Sequence, residues 1–381
     1  MKALSDCRVL VVDDVKANVD ILIEALRDDC KLAVALGGQQ ALDAIARHPP
    51  DLVLLDIMMP DIDGYEICRR LRASETTREL PVMFLSALED VKDKARGFEA
   101  GGNDYLTKPF EPLEVKARVR SLLKAKSYAD AVREAAERDL RIAHEIQTGL
   151  LPADIARQVQ GTGLDVHAVM EPARQVGGDL YEVLGLGGGR VLVAVGDVSG
   201  KGIPAALFMA VTMTILRSMA RRGHAPEEIL RLLNDELLVQ NPRGMFVTLQ
   251  ILVFDPAKRE VTCASAGHHG AVRIPRNGPP QIVFTSSGRV LGLLPAEPIC
   301  RETLTIEPGD TFVLFTDGVS EAFGPDGELF GEDRLLAHFQ SSPPQSASAA
   351  TLGTLAAVRR HAADTKQSDD ITVLAVRYTG S

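Results

Sequence analysis

The sequence predicts an α/β doubly wound, five-stranded parallel sheet over residues 1–124, a helical connector over 125–150 and a mixed α+β domain over 151–381. Three observations carry this. Short apolar runs alternate with amphipathic stretches through the first third; a helix-forming stretch without proline follows; the remainder turns β-rich with helical interruptions. A chain of 381 residues also exceeds the ~250–300 residues over which one hydrophobic core keeps growing, so several cores are expected.

In the first third the expected strands are Val9–Val12, Leu32–Ala35, Leu52–Leu55, Val82–Leu85 and Tyr105–Thr107, each followed by a helical pattern. Their near-continuous apolar character suits a parallel sheet buried on both faces. From Val115 to Leu150 no proline occurs and the first glycine is Gly149. Val115, Leu122, Ala129, Ala136, Ala143 and Leu150 recur every seven residues, with Ala125, Val132 and Ile146 in a second seam that also carries Asp139. This pattern fits one long helix, either a thin dimerising coiled coil or an amphipathic connector. Beyond Gly163, the runs Val191–Val195, Val247–Phe254, Val261–Ala264, Thr311–Phe315 and Ile371–Val376 read as strands. Helical patterns cover Ala205–Arg221, Pro226–Val239, Glu332–Phe339 and Ala347–Ala362, and Gln340–Ser348 reads as a polar surface loop.

Composition narrows the function. Hydrophobic residues at 45% and charged residues at 25% match a globular chain, which excludes a disordered or collagen-like one. Acids outnumber Lys and Arg by 52 to 42, and this balance works against the phosphate contacts that dominate nucleic-acid affinity. Cys7, Cys30, Cys68, Cys263 and Cys300 form no CxxC pair, so buried thiols in a reducing compartment are expected, without a disulfide framework or thiolate zinc site. The absence of a run of ~18 apolar residues and of a signal-peptide core leads to the expectation of a cytoplasmic protein that engages neither membrane nor nucleic acid.

Open parallel sheets place their chemistry at the carboxyl ends of the strands. There this sequence puts Asp13, Asp14, Asp56, Ser86 and Lys108. Three converging carboxylates call for a hard cation such as Mg2+, and Asp56 could then attack a phosphoryl donor while the metal and Lys108 offset the developing charge. Ser86 would bond another phosphate oxygen, and a cis Lys108–Pro109 bond would aim the ammonium inward. An isolated Asp at a strand end is most simply a helix cap. The ordered set VVDD, LLDIMMP, Asp63–Gly64, LSA and DYLTKPF, however, resembles the receiver domain of two-component response regulators. The resemblance implies phosphorylation of Asp56 by a sensor histidine kinase, metal binding by Asp13, Asp14, Asp56 and the Met58 carbonyl, and a switch through Ser86 and Tyr105. Ser86 stands where Thr is commoner.

In the last domain Asp179 (QVGGDLYEV), Asp197 (VAVGDVSGKG), Asp317 (LFTDGVSEA) and Asp369 with Asp370 (QSDDITVLAV) each flank an apolar strand beside small residues. Oxygen ligands so disposed suit two Mg2+ or Mn2+ ions, which can hold a phosphoester and acidify water. These segments, with EIQTGLLP and SAGHH, resemble the SpoIIE/RsbU-type branch of the PPM serine/threonine phosphatases over about Ala143–Tyr378. That resemblance implies a β-sandwich flanked by helices. It also implies two Mn2+ or Mg2+ ions held by Asp179, Asp197, the Val198 carbonyl, Asp317 and Asp369, with Asp370 matching the motif's second acid without necessarily touching metal. Glu182 replaces the more usual Asp, and His269 the more usual Asn. Structural hydrogen bonds are the simplest expectation for His268 and His269.

The implied function is phosphorylation-controlled hydrolysis of phosphoserine or phosphothreonine on a protein. The resemblance points to a phosphorylated STAS-type anti-sigma-factor antagonist in a partner-switching pathway, with homodimerisation through receiver and helix. A non-catalytic adaptor that binds a sigma factor or its regulator is the rival, and the retention of all four acids weighs against it. Gly196–Gly202 has the wrong spacing for a P-loop, and GGDLYEV departs from the diguanylate cyclase signature in its last residues.

Overall fold

The computed structural model describes residues 2–87, 91–239, 241, 243–285, 288–295 and 297–380. The chain divides into two compact units, residues 1–137 and 138–381.

In the first unit a short 3-10 turn, Leu4–Asp6, precedes five alternations: β1 Arg8–Val12, α1 Lys16–Leu26, β2 Lys31–Ala35, α2 Gly38–Arg47, β3 Leu52–Asp56, α3 Gly64–Ala73, β4 Val82–Ser86, α4 Val91–Glu99, β5 Asp104–Thr107 and α5 Pro112–Leu150. The strands pair in the order β2-β1-β3-β4-β5, all parallel. Alternation along each strand builds two cores. Val9, Val11, Leu52 and Leu54 pack with Leu22, Leu26, Val115 and Val119, while Leu10, Val12, Val53 and Leu55 pack with Ile45, Ile67 and Leu71. Burial on both faces holds for β3 and β4, but β2 departs from it, with Lys31 and Val34 exposed. An edge strand has one neighbour and so is covered less completely.

Helix α5 is continuous over 39 residues. Val115, Val119 and Leu123 are buried in the core of the first unit, whereas Tyr128, Val132, Ile142 and Ile146 are exposed.

The second unit contains α6 Ile155–Gln158, β6 Leu164–Glu171, β7 Leu180–Gly187, β8 Arg190–Val198, α7 Ile203–Arg221, α8 Pro226–Val239, β9 Val247–Asp255, β10 Glu260–Ala266, β11 Ala271–Ile274, β12 Gln281–Val283 and β13 Arg301–Thr305. It closes with β14 Thr311–Phe315, α9 Asp317–Ser320, α10 Gly331–Ser341, α11 Ala347–Ala362 and β15 Ile371–Tyr378. Two antiparallel five-stranded sheets, β13-β10-β9-β8-β7 and β12-β11-β14-β15-β6, form a sandwich. Val193, Val195, Leu252 and Phe254 of one sheet share a core with Phe312, Leu314, Leu374 and Val376 of the other. Helices α7 and α8 cover the outer face of the first sheet and α10 and α11 that of the second. Helix α7 is long and apolar enough to cross a membrane. Its Phe208, Met209, Met213 and Leu216 are packed with α8 and the sheet, while Ile203 and Leu207 near its start are exposed.

Two expectations need correction. Cys300 is exposed while the other four thiols are buried, because it lies in irregular chain ahead of β13. The loop expected over Gln340–Ser348 shrinks to 342–346, since α10 and α11 extend into it from both sides. Ser346 caps α11 by accepting the Ala349 N–H at 3.0 Å.

Phe312 is fully buried between the sheets, edge-on to Phe254 at 5.6 Å. Phe312→Ala should lower the stability of this unit by about 3–5 kcal/mol, read as a shifted denaturant midpoint with an unchanged slope.

Candidate functional site

In the first unit β1 and β3 end side by side, so Asp13 and Asp56 meet at the carboxyl edge of the sheet. Oxygens of Asp13, Asp14 and Asp56 lie within 4.8 Å of one another. Lys108 Nζ reaches Asp13 Oδ2 at 2.7 Å and Asp56 Oδ1 at 2.9 Å, and the Lys108–Pro109 bond is cis. Asp13 also accepts from the Val15 N–H at 2.9 Å and from Asn18 Nδ2 at 3.0 Å, while Ile57 N–H donates to Asp56 Oδ1 at 3.0 Å. Burial pushes the Asp56 carboxyl up; Lys108 pulls it down and Asp13 pushes it up again. Lys108 offsets only part of the charge of three acids, and the remainder beside an exposed carboxylate, Asp14, suits a divalent ion.

Asp61 and Asp63 are bound to backbone N–H groups at helix starts. Asp61 accepts the Gly38 and Gln39 N–H groups, which hold it down at about 2, and Asp63 accepts the Glu66 N–H at 2.6 Å. Ser86 is buried at the end of β4, and Tyr105 is buried with its ring 5.3 Å from Phe84. The Met58 side chain is exposed.

In the second unit the topology gathers the four dispersed acids at one end of the sandwich. Asp179 precedes β7, Asp197 lies near the end of its antiparallel neighbour β8, Asp317 follows β14 and Asp369 with Asp370 precedes the antiparallel β15. Each β-sheet thus contributes one strand start and one strand end. Asp179 Oδ2 accepts the hydroxyls of Thr316 at 2.8 Å and Thr372 at 2.6 Å, tying the sheets together. Burial, then Asp197, raises the Asp179 carboxyl well above the ordinary range. Burial followed by Asp317, Asp369 and Asp370 raises Asp197 to about 7. Asp317 is raised by burial and then by Asp369. Among the described residues no three of these acids bring oxygens as close together as the receiver trio. Asp179 is buried and Asp197, Asp317 and Asp369 half-buried, and these mutually repelling oxygen donors fit a divalent pair.

Asp370 does something different. Its carboxylate accepts the Ala173 N–H at 2.8 Å and the Gly178 N–H at 2.9 Å, so it anchors the loop that carries Asp179. Two glycines of the motifs are needed for close approach. A Cβ on Gly178 would lie 2.5 Å from the Val198 carbonyl oxygen, and one on Gly318 would lie 1.9 Å from that of Asp370.

Gln147, His144, Arg217, Thr316 and Thr372 were not singled out by sequence. The Gln147 side chain, near the end of α5, pairs with both backbone groups of Gly177: Nε2 donates to its carbonyl at 2.7 Å and Oε1 accepts its N–H at 3.2 Å. His144 bonds the Gln175 carbonyl at 2.6 Å. Glu182 is buried against Arg217, which also donates to the Leu150 carbonyl. The departure at Glu182 therefore belongs to a clasp on the end of α5. Thr316 and Thr372 stood in plain view inside LFTDG and DDIT.

His268 makes the expected structural bonds. Burial holds it down at about 3, so the neutral ring donates from Nε2 to the Phe315 carbonyl at 3.0 Å and accepts the Thr248 hydroxyl at Nδ1, 2.9 Å away. His269 departs from that expectation. Its ring stacks on Phe315 at 5.9 Å, meets His268 edge-on and lies close enough to Asp317 to act on its carboxyl.

Comparison with known proteins agrees with both halves. The family model for stage II sporulation protein E (SpoIIE) matches residues 187–379, and that for the response regulator receiver domain matches residues 9–120. Response regulator PleD of Caulobacter vibrioides is 39% identical over 169 residues, 44% of this chain and 36% of PleD. Response regulator MprA of Mycolicibacterium vanbaalenii is 42% identical over 130 residues, 34% of this chain and 55% of MprA. The chain thus spans about a third to a half of these relatives. The SiaA-PP2C domain of Pseudomonas aeruginosa superposes with a TM-score of 0.58 at 22% identity, covering 65% of this chain and 99% of that domain. The PP2C phosphatase domain of SpoIIE from Bacillus subtilis gives 0.51 at 18% identity, covering 56% of this chain and 63% of that one. These two structures establish the PP2C-like fold.

Proposed function

The chain belongs to the SpoIIE family and carries a receiver domain ahead of its phosphatase fold; on that footing we propose that it is a response regulator whose output is metal-dependent hydrolysis of phosphoserine or phosphothreonine on a protein. The observation that carries this reading is the meeting of Asp179, Asp197, Asp317 and Asp369, from four separate segments, at one end of the sandwich. These residues, with the Val198 carbonyl, would hold two Mn2+ or Mg2+ ions; Asp13, Asp14, Asp56 and the Met58 carbonyl would hold one Mg2+. Such ions supply Lewis acidity toward the phosphoester and toward water.

The chain's own residues do the rest. Thr316 and Thr372 orient Asp179, and Asp370 holds the 173–178 loop against β15. In the receiver, Asp56 is the phosphoacceptor for a sensor histidine kinase, and Lys108 offsets charge on the incoming phosphoryl group. Ser86 offers a hydroxyl to a phosphate oxygen, and the state is read through Ser86 and Tyr105.

The substrate favoured by the family resemblance is a phosphorylated STAS-type anti-sigma-factor antagonist, in a partner-switching pathway. Helix α5 is the relay, since the segment 125–150 ends at the Gln147–Gly177 pairing. Within the first unit its exposed Tyr128 and Val132 are the apolar residues that a second copy would cover. The decisive experiment is dephosphorylation of such an antagonist with Mn2+, with and without a phosphoryl mimic on Asp56. Turnover that responds to the mimic supports the reading; a chain inert toward both antagonist and p-nitrophenyl phosphate at every metal concentration overturns it. Gln147→Ala should cut stimulated turnover by about tenfold, the loss of roughly 1.4 kcal/mol in hydrogen bonding. Ala136→Pro should uncouple turnover from the mimic, because proline interrupts the helix in mid-course.

A further inference from the structure

Lys201 sits in the turn between β8 and α7, four residues beyond Asp197. Its Nζ lies 2.8 Å from Asp369 Oδ2 and 2.6 Å from the Ser368 carbonyl oxygen. The other carboxylate oxygen of Asp369 accepts the Asp370 N–H at 3.0 Å, and Gln367 donates to the Asp369 carbonyl at 2.7 Å. Among the described residues this is the one ion pair made by any of the acids Asp179, Asp197, Asp317, Asp369 and Asp370. Asp179 is satisfied by two hydroxyls and Asp370 by two backbone amides. Asp369 alone presents an oxygen to a cation that the chain itself supplies.

Simple surface pairing does not account for this placement. Both side chains are about 40% exposed, so the pair is solvent-screened and contributes little to folding. It does lie on a residue with a second claim on it. A divalent ion at Asp369 and an ammonium at the same carboxylate repel each other, and every ångström gained by one weakens the hold of the other. Lysine suits such a role because its charge rides on a flexible four-carbon stem that can swing aside while keeping one hydrogen bond, here the one to Ser368.

We propose that Lys201 is a built-in competitor of the divalent ion at Asp369, lowering metal affinity at that half of the site. The proposal rests on the reading of the acidic cluster as a two-metal phosphatase centre and adds a setting for its metal demand. The phosphatase then fills its Asp369 side only when the metal outcompetes the ammonium, and the displaced ammonium stays beside the site on Ser368.

The test is Mn2+ binding to the full-length chain, followed by the electron paramagnetic resonance signal of free Mn2+, with Asp13→Asn in every sample to silence the receiver pocket. Lys201→Met should tighten the weaker class of phosphatase sites by about five- to tenfold, the direction expected when a neighbouring like charge is removed. Lys201→Gln should move the same way, and Lys201→Arg should stay near the parent value. The half-saturating Mn2+ concentration for p-nitrophenyl phosphate hydrolysis should fall in parallel. Unchanged or weaker binding in both Lys201→Met and Lys201→Gln, with parental binding intact, overturns the proposal alone. A parent that binds no Mn2+ beyond the receiver pocket overturns the two-metal reading together with it.

Discussion

Replacing Asp179 and Asp317 together by alanine should lower Mn2+-dependent hydrolysis of p-nitrophenyl phosphate by at least about 10³-fold, the scale of losing preorganised charge stabilisation at a reacting phosphoryl group. Asp179 precedes β7 in one sheet and Asp317 follows β14 in the other, so the pair removes donors from both sheets. Turnover that persists in the double variant would sink the assignment. The same acids give the metal-free chain a pH dependence whose sign can be worked out. A carboxyl raised on folding binds more protons folded than unfolded, so stability falls as pH rises from the ordinary carboxylate range through the folded value, about 7 for Asp197. In chelator, the melting temperature of this unit should therefore fall between pH 5 and pH 8. Added Mn2+ should raise it more at pH 8 than at pH 6, since metal and protons compete for the same oxygens. A melting temperature that rises over this interval in chelator would contradict the crowding of Asp179, Asp197 and Asp317.

Asp56→Asn should abolish labelling of the chain by acetyl phosphate while leaving basal phosphatase turnover in place. Asn keeps the shape and the hydrogen bond from the Ile57 N–H but lacks the carboxylate nucleophile. It also removes a buried like charge from Asp13, so the receiver should melt no lower than the parent. Labelling at parental yield in Asp56→Asn would move the phosphoacceptor elsewhere. The variant bears equally on coupling, because any effect of acetyl phosphate on turnover must vanish with it.

Much of this was legible because the relevant signals are local. Strand ends in a parallel sheet are short-range features, so the sequence places Asp13, Asp56 and Lys108 together, and contacts of 2.7 and 2.9 Å join them. The length of α5 followed from an uninterrupted helix-forming stretch, and Pro112–Leu150 differs from it by one turn at the start. Strand β6 was less legible because its residues are mostly half-buried and show no clean alternation. Glu182 was legible only as a departure from a motif; its partner Arg217 lies 35 residues away on α7.

What the sequence by itself determined was the inventory and its order: two acidic sets, their strand-flanking positions, and a continuous helix between them. Those depend on periodicity and turn chemistry, which act over a few residues. Tertiary structure alone decided the pairings. Gln147 reads Gly177 across 30 residues, Asp370 anchors Gly178 across 192, Thr372 holds Asp179 across 193, and Lys201 reaches Asp369 across 168. Such contacts are set by how two sheets stack and which strand ends then face each other, a long-range packing outcome that no local pattern encodes.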